Sequence, residues 1–384
     1  MESASWQLFR LSDIADIEKS AVQPSEIVRG TTFVGLESIN QSGTVDTTRT
    51  VVSGELLSTK FRFTNRHILY GKLRPYLKKI GRPACDGICS TDILPILPKE
   101  TVDRDFLYYF LRQPQLIKLA TERAIGANLP RLSPATLAEF EIAVPPFPIQ
   151  KKIAAILDKA DAAREKRRDA NRLIDRFLQS VFREMFGGDK YRYVKLHEVC
   201  TKITDGTHVT PNYVTEGVPF LSVKDVKTGY IDWNATKFIS SDQHREITKR
   251  VKPEKDDILY TKVGTIGVAS FVDVNTEFSI FVSVALLKPD KAAVEPIFLK
   301  WMMNTDLVKR QALRRVKGIG VPDLHLVEIR DFDIILPLQS EQQKFGALVE
   351  KVESLRAKQK ESEKELENLF NSLMQRAFKG ELVQ

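Results

Sequence analysis

The chain has 384 residues, 42% of them apolar and 28% charged, with a formal net charge of +8. That length and apolar content allow two or three domains with sizeable cores, and no stretch reaches about 18 uninterrupted apolar residues, so no membrane span is expected. The basic balance suits a polyanionic partner, because Lys and Arg neutralise phosphates and release counterions, although charge alone does not decide the point.

In chain order, the start Met1-Glu2-Ser3-Ala4-Ser5-Trp6 lacks a basic segment followed by an apolar run, so no signal peptide is expected. Thr32-Phe33-Val34 reads as a short strand. The segment from Tyr70 to Arg82 packs five basic residues and two aromatics among Gly and Pro in thirteen positions. Such a segment can form a rigid basic loop, with amines for phosphates and a guanidinium fork for base edges. A solvated hairpin would carry the same residues. The cysteines are Cys85, Cys89 and Cys200. An odd, low count argues against a disulfide framework and suits a reducing cytosol; with no second Cys or His pair near Cys85 and Cys89, they read as small buried residues rather than zinc ligands. Ile93-Leu94-Pro95-Ile96-Leu97 reads as a strand and 105–121 as a helical patch.

From Ile153 the seam Ile153, Ile156, Ala160, Ala163, Arg167, Ala170, Ile174, Phe177, Val181 steps by three and four, the mark of a long heptad helix. Pro145, Pro146 and Pro148 precede it and Gly187-Gly188 follow, as start and stop signals. Beyond it come the polar, turn-rich run from Thr204 to Pro211, strands at Val218–Val223 and Phe278–Val284, a turn from Tyr260 to Gly267, a helical patch at 296–313 and the basic cluster Arg314-Arg315-Val316-Lys317.

The chain repeats itself. Gly126-Ala127-Asn128-Leu129-Pro130-Arg131-Leu132 aligns with Gly318-Ile319-Gly320-Val321-Pro322-Asp323-Leu324 at an offset of 192 (318 − 126), and the same offset carries Gln150 onto Gln342, Lys159 onto Lys351 and Phe186 onto Phe378. Upstream the match loosens: Ile68-Leu69-Tyr70 resembles Ile258-Leu259-Tyr260 at 190 (258 − 68). The 192 offset also yields a second seam, Phe345, Leu348, Val352, Leu355, Gln359, Ser362, Leu366, Leu369, Leu373. Each seam needs an apolar partner. The expectation is that the two helices pair antiparallel, over about 42 Å at about 1.5 Å per residue. The other arrangement is two amphipathic helices, each on its own domain.

Enzyme signatures are missing. There is no Gly-Lys-Ser/Thr phosphate loop and no His-Glu-x-x-His helix. His67, His197, His208, His244 and His325 show no metal-ligand spacing. Val144-Pro145-Pro146-Phe147 has Val where the amino-methyltransferase motif needs Asn or Asp to hold the target amine. Gly318-Ile319-Gly320 lacks the third glycine of a dinucleotide loop, and Pro322-Asp323 with Glu328-Ile329-Arg330 has Arg where a nuclease motif has Lys.

The two-fold repeat, the Ile68–Lys79 run, Asp205-Gly206-Thr207-His208 and the paired helix openings Pro146-Phe147-Pro148-Ile149-Gln150 and Leu338-Gln339-Ser340-Glu341-Gln342 together resemble the specificity subunits of type I restriction–modification systems, over nearly the whole chain. The second opening has Leu338 in place of Pro146. The resemblance implies an α+β chain with two strand-rich, mixed α/β target-recognition domains, 1–148 and 191–340, separated by two long antiparallel coiled-coil helices, 149–190 and 341–384. It implies double-stranded DNA with a bipartite site as the ligand. The implied partners are two methyltransferase subunits, with motor-nuclease subunits joining for cleavage. It also implies no catalytic site and no cofactor in this chain, and a cytoplasmic location. The expected DNA-binding residues are Lys72, Arg74, Tyr76, Lys78, Lys79, Asn128 and Arg131 in the first half, and Thr207, His208, Lys224, Lys262, Thr265, Lys317 and His325 in the second. The rival readings are a coiled-coil scaffold that binds only protein, and a self-contained DNA-modifying enzyme.

Overall fold

A computed structural model describes residues 6–188, 190–234, 236–318 and 320–383; nothing is described of the side chain at 175. The start of the chain at 1–5 and Ile319 of the second Gly-rich segment lie outside the described residues. The chain forms two compact units, residues 1–169 with 360–384, and residues 170–359.

In the first unit a four-stranded antiparallel sheet runs in the order Ala15–Ile17, Ile93–Pro98, Ile68–Gly71, Ile80–Gly81. Its central strands are apolar on both faces, since side chains alternate across a strand and both sides are covered. Ile68, Tyr70, Leu94 and Ile96 enter one core with Phe106 and Leu107. Leu69 and Ile93 point the other way, into a core with Val34, Phe63 and Cys89. The second unit repeats the plan. Its sheet runs Cys200–Asp205, Val284–Pro289, Ile258–Thr261, Ala269–Phe271. Ile258, Tyr260 and Leu287 face one core, Leu259, Val284 and Leu286 the other.

Each unit adds a smaller four-stranded sheet, and here the plans part. Both contain a parallel pair, Phe33–Val34 with Gly87–Cys89 in one and Val218–Leu221 with Ser279–Ile280 in the other. In the first unit Lys60–Phe63 joins the later strand of that pair. In the second, Lys237–Ile239 joins the earlier one.

The helical patches each break in two, at Arg104–Leu111 with Pro114–Glu122 and at Pro296–Met303 with Asp306–Arg315. Pro114 has no N–H to donate and fits only a first turn. The expected strand at Phe278–Val284 also divides, between Ser279–Ile280 and Val284–Pro289, because the chain crosses there from one sheet to the other. At Val218–Val223 the strand ends at Leu221 and a short helix, Val223–Val226, takes over.

The two long helices are Phe147–Phe186 and Gln339–Phe378, 40 residues each. The first starts six residues ahead of its seam, through Pro148, which suits a first turn. In the first unit the opening half of one lies against the closing half of the other. Arg164 grips Glu367 through two donors, Nε at 2.9 Å and Nη2 at 2.7 Å, and stacks 4.0 Å above Phe370. In the second unit the opposite halves meet, with the rings of Phe182 and Phe345 5.2 Å apart. Both contacts are those of antiparallel helices.

The buried stripe differs from the expected seam. It runs through Ile153, Leu157, Arg164, Leu178, Phe182 and Phe186, and through Phe345, Val349, Val352, Phe370, Met374 and Ala377. Phe177, Leu355 and Leu369 are half exposed instead. A straight helix has 3.6 residues per turn, so a strict heptad line drifts by about 20° per heptad. The helices also pack on the bodies, as Leu157 does in the first unit and Phe182 on Phe298 in the second, and this moves the stripe round.

The repeated glutamines tie helix to body. Gln150 accepts from the Asp103 backbone N–H at 2.8 Å and donates to the carbonyls of Pro145 at 2.9 Å and Thr101 at 3.2 Å. Gln342 accepts from the Glu295 N–H at 2.9 Å and donates to the Pro337 carbonyl at 2.8 Å. Both are buried, so these bonds satisfy backbone groups that water cannot reach. Among the described residues no helix is long and apolar enough to cross a membrane.

Candidate nucleic-acid interface

Each unit folds its basic or polar turn against its own Gly-x-x-x-Pro segment. In the first, the Arg74 N–H donates to the Pro130 carbonyl at 2.7 Å and the Leu132 N–H to the Lys72 carbonyl at 2.9 Å. In the second, the Gly264 N–H donates to the Pro322 carbonyl at 2.9 Å and the Leu324 N–H to the Lys262 carbonyl at 2.8 Å. Gly126 and Gly318, at φ 121° and 103°, make the bend that each segment needs, since an L side chain rarely adopts that backbone conformation. Two stretches far apart in sequence thereby become one surface in each unit.

In the first unit the turn Pro75–Leu77 is flanked by Arg74 and Lys78, both in the left-handed region at φ 51° and 53°. Residues other than glycine hold that conformation at a cost of order 1–3 kcal/mol, and only where the surroundings enforce it. Here the enforcement comes from Pro130 and from Arg74 Nη2, which donates to the Asn128 carbonyl at 3.2 Å. Tyr76 and Lys78 stand exposed at the tip, and Asn128 is exposed beside them. Arg131 meets Asp92 through two parallel bonds, Nε to Oδ1 at 2.9 Å and Nη2 to Oδ2 at 3.2 Å, and the hydrogen bonds raise its pKa further. The Lys72 amine is 4.0 Å from the same Asp92. Lys79 turns away from the tip and donates to the Leu36 carbonyl.

The second unit gathers its residues on a corner built around Ser283, whose carbonyl accepts from the Lys262 N–H at 3.0 Å and whose hydroxyl accepts from the Val223 N–H at 3.1 Å. Lys224 is exposed on the helix that begins there, and Thr265 is half-buried in the turn after Lys262. The Thr207 N–H donates to the Ile280 carbonyl at 3.0 Å, and Thr207 accepts from Val282 at 3.0 Å. Lys262 is buried, its amine 3.6 Å from Asp205 and 3.4 Å from Asp323. His208 lies 3.4 Å from Asp205 and His325 3.9 Å from Asp323, both imidazoles exposed. Lys317 is exposed and pairs with Glu328 at 3.1 Å.

The structure thus collects Lys72, Arg74, Tyr76, Lys78, Asn128 and Arg131 in one unit, and Thr207, His208, Lys224, Lys262, Lys317 and His325 in the other. It also shows the carboxylates that hold them, Asp92, Asp205 and Asp323, and a further cation, Arg250, 3.0 Å from Asp205. Arg250 sits in the basic run Lys249-Arg250-Val251-Lys252, a signal that could have marked it. Among the described residues no group of acidic, His or Cys side chains could hold a metal ion.

The chain matches the family described as the type I restriction modification DNA specificity domain twice, over residues 4–172 and 188–368. It is 25% identical to the type I restriction enzyme EcoDI specificity subunit of Escherichia coli over 48% of this chain; that alignment spans less than half, 42%, of the relative. It is 23% identical to the EcoKI specificity subunit of Escherichia coli strain K12, covering 93% of this chain and 87% of that one. Its fold is similar to that of the type I restriction–modification S subunit from M. genitalium, with a TM-score of 0.60 at 15% identity over 98% of this chain and 97% of that one.

Proposed function

Because the chain belongs to the type I restriction modification DNA specificity family, with both of its halves matched, we propose that it is the sequence-specific DNA-binding subunit of such a complex, reading a bipartite site. One observation carries this reading. Each unit joins two segments distant in sequence, a turn and a Gly-x-x-x-Pro segment, on a rigid β frame, and the surface so made exposes a cation, Lys78 in the first unit and Lys317 in the second. Phosphate contacts would set register and the guanidinium and amide groups would read base edges. The division that goes with this is two target-recognition domains, 1–148 and 191–340, and two spacer helices, 149–190 and 341–384. Two methyltransferase subunits dock on the chain and supply the cofactor and the chemistry, and motor-nuclease subunits join for cleavage. The chain by itself is non-catalytic, holds no cofactor and works in the cytoplasm.

The test is to express the chain with its methyltransferase subunits and map methylated bases in host DNA. A single two-part motif is expected, and the purified chain alone transfers no methyl group. Methylation by the chain alone, or a motif without two halves, overturns the reading. If the helices act as a ruler, one added heptad in each lengthens the gap between the halves by about 10 Å, or about three base pairs, with both halves unchanged.

A further inference from the structure

We propose that Arg250 reads a base edge in the half-site of the second unit and that Asp205 is the positioning residue that aims it; this rests on the DNA-reading function above. Asp205 ends the strand Cys200–Asp205, and its side chain is only 5% exposed. A buried carboxylate is costly unless charges and donors meet it. Three segments send a basic side chain to this one: Arg250 at 3.0 Å, the His208 imidazole at 3.4 Å and Lys262 at 3.6 Å. Lys262 is spent inside, shared with Asp323. Arg250 and His208 are not, for their side chains are 57% and 60% exposed.

Arg250 is therefore held at one end and open at the other. Its backbone is pinned too, since its carbonyl accepts from Lys202 Nζ at 2.8 Å and its N–H donates to the Ile247 carbonyl at 3.2 Å. The carboxylates near it are already engaged, Asp242 with Arg245, and Glu246 with Lys249 at 2.6 Å. A guanidinium carries five N–H donors in a rigid plane. One goes to Asp205, and the rest can give the paired bonds that guanine accepts at O6 and N7. Arg250 and Thr207 line the same open cleft of about 560 Å³, with Asn212 and Gln243 on its walls. The cleft offers room for an approaching base edge.

The device is private to this unit. Strand register places Ile17 and Ile203 at the same position, because each lies opposite a residue, Ile96 or Leu287, that also pairs with the repeated Ile68 or Ile258. Two residues further on, Asp205 corresponds to the exposed Lys19. Two units that read different half-sites are expected to differ at such a point.

The experiment compares Arg250→Ala, Arg250→Lys and Asp205→Asn with the unaltered chain, each assembled with its methyltransferase subunits. The readout is the methylated motif and the salt dependence of DNA binding. Arg250→Ala and Arg250→Lys are expected to relax one base position in one half of the site, with discrimination falling about 10- to 100-fold there, and the other half intact. Asp205→Asn relaxes the same position. If Asp205→Asn fails to fold by circular dichroism, the two Arg250 variants decide. An unchanged motif in both Arg250 variants overturns the proposal. So does a uniform loss in Arg250→Ala that Arg250→Lys restores, because that is a phosphate contact. Absence of any two-part motif from the unaltered chain would instead defeat the DNA-reading function itself.

Discussion

Lys72 and Lys262 occupy the same place in the two units, yet different carboxylates answer them. In the first unit the counter-ion is Asp92, at 4.0 Å, shared with Arg131 and partly open to solvent. In the second the place of Asp92 is taken by Ser283, since the carbonyl of each accepts from the N–H of its lysine. The place of Arg131 is taken by Asp323, which joins Asp205 around a buried amine. A charge has changed sign at one repeat position and a carboxylate has moved to another, while the lysine and its backbone stayed. The backbone bonds between turn and Gly-x-x-x-Pro segment are therefore the common frame. Charge is the part that varies, leaving the first surface cationic and the second a balanced network with imidazoles outside. The distal sheets differ in the same spirit, sharing a parallel pair but attaching the next strand to opposite members of it.

The largest expected effect separates the two lysines. Lys262→Met removes a buried cation from two carboxylates and is expected to cost about 3 kcal/mol or more in urea unfolding. Lys72→Met removes a partly exposed pair at longer range, 4.0 Å, and is expected to cost under about 1 kcal/mol. Equal costs would break the comparison. Next come the glutamines, where Gln150→Ala and Gln342→Ala each strand buried backbone groups, at about 1–3 kcal/mol. Gln150 makes three bonds to the two of Gln342, so its loss should lower the unfolding midpoint more.

Binding measurements sharpen the contrast further. Arg131→Ala is expected to weaken discrimination at one position of one half-site by about 1–3 kcal/mol, and Asp323→Ala should not produce that loss in the other. Lys78→Ala should lower the salt slope of DNA binding by about one, whereas Lys79→Ala should leave it unchanged, because that amine is engaged by Leu36. A slope that falls equally for both would show that Lys79 swings out on binding. The smallest effect concerns the cysteines. Burial pushes the thiols of Cys89 and Cys200 up to about 12, the nearby Asp257 adding to the shift at Cys200. Neutral-pH alkylation of the folded chain, followed by mass spectrometry, should leave both unmodified while it labels Cys85 first.

Much of the architecture was legible in the residues. The 192-residue offset marked a duplicated tail because helices that share one packing task keep their spacing. The prolines before the first helix and the glycines after it lie at the ends of Phe147–Phe186. Gln150 and Gln342 stood out as a repeated polar pair, but their role did not, since the backbone groups they satisfy belong to the Asp103 and Glu295 segments about 47 residues away. The first helix turns a second arginine inward, Arg164, beside Arg167 of the seam, whose Nε is buried. Arg164 faces inward because Glu367 and Phe370 await it, and no pattern along a single helix records a partner.

The sequence by itself determined that there are two similar bodies, that two long helices accompany them, and that a turn, basic in the first body and polar in the second, recurs with a Gly-x-x-x-Pro segment in both. These are local properties, written in periodicity, turn chemistry and self-similarity. Only the tertiary structure decided that each turn meets its own Gly-x-x-x-Pro segment, that Lys79 and Lys262 face inward while Lys78 and Arg250 face out, and that Asp205 gathers two cations and an imidazole. The physical reason is that a charged side chain's role depends on which opposite charge lies within about 4 Å of it and on how much water remains there. For Lys262 those neighbours come from segments more than fifty residues away on either side, and only the folded sheet brings them together.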